Sequence, residues 1–140
     1  MSTEIIVWVL TALGLVVVIL TRVRLGKDET TGPMKVNRTA LNVHTAAGAL
    51  GMVLWLVFIF SPDDAATHEP VVGLVALTLL WVTAIAGLAL LLRWLPSRGR
   101  HATNVEEDEW SEGPGLSMLA HFGMFVGVCV FTWAFATAVV

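Results

Sequence analysis

The chain is short of charge and nearly without cysteine. Only 14% of its 140 residues are charged, against 56% that are apolar, and the mean hydropathy is +0.80. Soluble domains carry about 25% charged residues, so an ordinary water-exposed globule is excluded. The single cysteine, Cys129, rules out an intramolecular disulfide. It lies inside an apolar run, where a small buried core residue is expected. No basic residue precedes Arg22 and the first charge is Glu4, so the chain lacks the basic n-region of a cleaved signal peptide. The first run is therefore read as a retained helix. Phosphate loops, nucleophile elbows and nucleic-acid modules are also missing. No nucleic-acid partner is expected.

What the chain does have is four long apolar runs, at about residues 5–21, 39–60, 70–92 and 115–139. Each approaches or exceeds the roughly 20 residues needed to cross a bilayer core. The expected fold is all-α: an integral membrane up-down-up-down four-helix bundle, one transmembrane domain over residues 1–140. Asn37 can cap the second helix, Pro70 and Pro114 suit first turns, and Pro62 and Pro96 follow helix ends.

All eight Lys and Arg fall in two connections, 22–38 and 93–114, while the connection SPDDAATHEP and both termini have none. The positive-inside rule places the two basic connections in the cytoplasm and both termini outside a cell membrane. Trp94 and Trp110 suit the inner interface, and Trp8 and Trp133 the outer. The outer loop residues Asp63, Asp64, His68 and Glu69, the inner His101 and the acidic run Glu106 to Glu109 are expected to be solvated.

The two halves of the chain resemble each other weakly. Trp8, Val9, Gly14 and Leu15 match Trp81, Val82, Gly87 and Leu88 at identical spacing, and each of these spans ends in arginine, Arg22 and Arg93. Aligning His44 with His121 brings Val53 onto Val130 and Phe58 onto Phe135. A duplicated helical hairpin is the expected origin.

His44 lies about five residues into the second run and His121 about six into the fourth. At 1.5 Å per residue both sit roughly 8–9 Å beneath the cytoplasmic boundary. In a simple bundle these helices are parallel and diagonal, so both imidazoles can point at the axis from opposite sides. That is the arrangement two axial ligands of one haem require. Small residues supply clearance at this level: Gly48 and Gly51 after His44, Gly123 beside His121, and Gly14 and Gly87 on the other helices. Glycines also serve plain helix contacts. Zinc suits the site less, because two histidines leave its usual four ligands incomplete. A histidine proton relay is an alternative. Arg22, Arg38 and Arg93 lie nearest the cytoplasmic helix ends, where haem propionates would emerge. Met118, Met124 and Phe122 are expected to pack the pocket.

Around Asn42-Val-His44-Thr-Ala-Ala-Gly48 and Leu119-Ala-His121-Phe-Gly123 the chain resembles small four-helix membrane-bound b-type cytochromes with one bis-histidine haem. The haem-carrying anchors of succinate dehydrogenase and fumarate reductase belong to this class. The resemblance implies a haem b electron-transfer protein, with His44 and His121 as iron ligands and a quinone or a respiratory or redox membrane subunit as partner. It implies a subunit more than a complete enzyme. The competing expectations are a non-redox accessory subunit of a larger membrane complex and a haem carrier or sensor.

Overall fold

All four apolar runs are helical in the computed structural model, which describes residues 2–27, 38–94 and 114–140, with side chains for 2–20, 42–89 and 118–140. Helix α1 spans Thr3–Lys27, α2 Arg38–Phe60, α3 Pro70–Trp94 and α4 Pro114–Ala136, with one 3-10 turn at Ala66–His68. There is no strand among the described residues. Asn37, Pro96, His101, Trp110 and the run Glu106 to Glu109 lie outside the described residues.

Every helix is long and apolar enough to cross a membrane. Large apolar side chains also cover the outside, among them Leu13, Leu50, Leu74 and Val126, all more than half exposed. A helix that is apolar all round has no water-facing side. Such a surface suits hydrocarbon, where only structures that satisfy their own backbone hydrogen bonds persist.

Helix α2 packs on α3, α3 on α4, α4 on α1 and α1 on α2. No Cα of α2 lies within 8 Å of one in α4, nor of α1 and α3, among the described residues. The α2–α3 seam is tight because glycines face it. A Cβ at Gly48 would stand 3.0 Å from Thr83 Cγ2, and one at Gly51 3.0 Å from Leu79 Cβ. Farther along, a Cβ at Gly73 would meet Phe58 and Phe135. Missing side chains let the backbones approach, which is the main source of helix attraction in lipid.

The core runs along the axis through Val7, Met52, Trp55, Leu80, Val128 and Phe131. Two indoles in this region are tied off by threonines. Trp55 Nε1–H donates to Thr11 Oγ1 at 3.2 Å, and that hydroxyl donates to the Val7 carbonyl at 2.8 Å. Trp81 Nε1–H donates to Thr132 Oγ1 at 3.0 Å, which donates to the Val128 carbonyl at 2.7 Å. Each pair joins two neighbouring helices, α1 to α2 and α3 to α4. In lipid such bonds contribute about 0.6 kcal/mol on average.

Three side chains differ from expectation, the first being Phe122, which is 56% exposed on α4 instead of packing a pocket. His68 is half-buried instead of solvated. Its ring lies flat on Phe58 at 4.8 Å, and Nδ1–H donates to the Phe58 carbonyl at 2.9 Å. It thereby satisfies one of the carbonyls left over at the end of α2. Its Nε2 is 3.7 Å from Asp63. Cys129 is exposed on the outside of α4. Its neighbours Val128 and Phe131 take the inward positions, and the helical period turns Cys129 away from them.

Helix α4 stops at Ala136, three residues before the expected end of the fourth run. Ala138 adopts φ 52°, and Val139 N–H reaches back to the Ala134 carbonyl at 2.9 Å. This is a Schellman end with alanine in the left-handed position that usually holds glycine.

Candidate functional site

His44 comes from the second turn of α2, and His121 from near the corresponding end of α4. Their ring centroids are 5.9 Å apart and their planes 15° from parallel. Both rings are half-buried. The helices that carry them are diagonal neighbours, so the pair meets across the bundle interior.

Helix α3 orients the first ring. His44 Nδ1 is 2.9 Å from the Thr83 carbonyl oxygen. A carbonyl only accepts, so Nδ1 carries the proton and the neutral ring keeps its lone pair on Nε2. Outer-sphere hydrogen bonds of this kind fix the tautomer of metal-ligating histidines. One turn farther along α3, Gly87 lies against both rings. A Cβ there would be 2.8 Å from His44 Cε1 and 2.7 Å from His121 Cδ2. No other residue type fits that position without displacing an imidazole.

Beside the rings is a cavity of about 80 Å³, lined by all four helices. Val17 and Val18 form its α1 wall, Thr45, Gly48 and Ala49 extend the α2 wall, Thr83 and Ala84 form the α3 wall, and Ala120 and Met124 flank His121. The lining is apolar apart from the histidines and two threonines.

Among the expected residues, the structure places Gly87 against His44 and His121 and Gly48 in the cavity wall beside them. The other expected glycines sit elsewhere. Gly51 faces Leu79 and Leu80, Gly14 faces Met52 and Met124, and a Cβ on Gly123 would touch nothing within 4 Å. Arg22, Arg38 and Arg93 fall in α1, α2 and α3 near the helix ends on the histidine side; their side chains lie outside the described residues. Sequence reasoning missed the Thr83 carbonyl and the α1 valines. A backbone acceptor has no residue signature, although Thr83 stands four residues before Gly87 and hence on its face.

No group of three or more His, Cys, Asp or Glu side chains that could hold a metal ion occurs among the described residues. Two imidazoles alone suit a group that brings its remaining ligands with it, or an ion content with few. No protein-family model, no curated protein and no solved structure matches the chain.

Proposed function

We propose that this is a multi-pass cell-membrane protein holding one haem b between His44 and His121 and passing single electrons. The observation that carries the reading is the pair of near-parallel imidazoles on diagonal helices, 5.9 Å apart between centroids. The rings lie stacked and an imidazole lone pair lies in its ring plane, so ligating one iron needs each ring to turn its nitrogen edge toward the other.

The donor types, two imidazoles, suit the group. The cavity alone does not enclose it, since 80 Å³ is the volume of a few waters. Holding the ring requires Val17, Val18 and Met124 to swing aside. They belong to the α1–α4 side, and α1 is the helix with the least of its span buried, 17% against 39% for α3.

Held by His44 and His121, a haem would supply a one-electron couple. The protein's own residues do the rest. Thr83 holds His44 in its ligating tautomer, Gly87 leaves the seam between the rings clear, and Arg22, Arg38 and Arg93 serve the propionates. The apolar lining excludes water. With one site near one face, electrons pass to or from a quinone in the bilayer or a redox subunit at the membrane.

The bundle is up-down-up-down, with both termini outside and connections 22–38 and 93–114 in the cytoplasm. The cyclic order of helix neighbours and the segregation of all Lys and Arg support this.

The test is haem content. Protein expressed with ample haem and purified in detergent is expected to carry one haem per chain, with the reduced-minus-oxidised bands of a low-spin b-type centre. Colourless protein would leave the accessory-subunit reading, and carbon monoxide binding to the reduced form would favour a sensor.

A further inference from the structure

We propose that in the haem-free chain the same cavity is a copper(I) site, with His44, His121 and Met124 as ligands. All three donors line one cavity of about 80 Å³. The donors are two imidazoles and a thioether, with no carboxylate in the lining. Thioethers select Cu(I) among biological metals, and imidazole also suits copper. Zinc wants four ligands, and magnesium and calcium favour carboxylate oxygens, which the lining lacks.

Charge makes the same choice. The three donors are neutral and the surroundings apolar, so any bound ion keeps its full charge in a medium that penalises it. A monovalent ion is disfavoured far less than a divalent one. His44 is already set for ligation, its Nδ1–H on the Thr83 carbonyl and the Nε2 lone pair retained. His121 needs one ring nitrogen for the metal and can keep the other in a hydrogen bond.

Met124 stands three residues after His121, on the same helix face. Its sulfur is 3.7 Å from where a Cβ of Gly14 would be. That is an ordinary contact distance; the tight neighbour of Gly14 is Met52, whose Cε would be 2.7 Å from the same Cβ.

This site does not depend on the haem reading, but it competes with it for both imidazoles. The experiment uses full-length haem-free protein in detergent, titrated anaerobically with Cu(I) against bicinchoninate, with X-ray absorption at the copper edge. Expected are one Cu(I) per chain and a shell of nitrogen plus sulfur. His44→Ala is expected to lose the ion. Met124→Leu, close in volume, should bind at least about 10-fold more weakly and lose the sulfur signal. Copper left entirely with the chelator, equal binding by His44→Ala, or a shell without sulfur would overturn the proposal. Protein that takes haem but no copper overturns this inference alone, and protein that takes copper but never haem overturns the haem reading alone.

Discussion

Gly87 is the residue on which the histidine pair depends most closely. Gly87→Ala would put a Cβ within 2.8 Å of both imidazoles, and overpacking of this kind costs about 1–3 kcal/mol. Haem content per chain is expected to fall sharply in this variant. Gly123→Ala, with nothing within 4 Å of the new methyl, should retain wild-type haem content. Equal haem content in the two variants would contradict the assignment of Gly87 to the seam. At the other end, Ala138 holds a φ of 52°. Ala138→Gly removes a left-handed cost of about 1–2 kcal/mol, partly offset by the greater freedom of an unfolded glycine. A gain of up to about 1 kcal/mol in reversible unfolding is expected. Much of this scale was readable in the sequence. Equal depth on like-directed helices brought His44 and His121 together on paper. The division of labour among the glycines was not readable, because a spacing that clears a ring also clears a neighbouring helix, as Gly51 does against Leu79.

The helices themselves were legible because long apolar runs bounded by proline and arginine leave little choice in lipid. Their unequal hold on the bundle was not. Helix α1 buries 17% of its span, and α3 39%. It is held by Thr11 to Trp55, by Trp8 against Phe60 at 4.8 Å, and by Gly14 against two methionines. Hydrogen exchange in detergent is expected to be faster in Val16–Leu20 than in Thr78–Gly87, and Thr11→Val should widen the difference. The buried Trp55 N–H then loses its acceptor, a loss of about 1–3 kcal/mol. His68 was misjudged at this scale for a physical reason. A loop histidine reads as solvated unless one knows that a carbonyl in the last turn of the preceding helix lies beneath it and can accept from its ring, as Phe58 of α2 does.

Across the whole molecule, the proposed orientation rests on the segregation of the basic residues. In a Cys129→Ser background, Asp64→Cys is expected to react with an impermeant thiol reagent added to intact cells. Glu107→Cys should react only after lysis, and the reverse pattern would invert the topology. The central claim is that two imidazoles from diagonal helices share one iron. The direct measurement is the absorption spectrum of haem in the wild type, in His44→Ala, in His121→Ala and in the double variant, each with helix content checked by circular dichroism. The account expects a low-spin six-coordinate centre in the wild type. Each single variant should lose haem or hold it five-coordinate and high-spin, and the double variant should hold none. Folded single variants that keep the wild-type low-spin spectrum would contradict it.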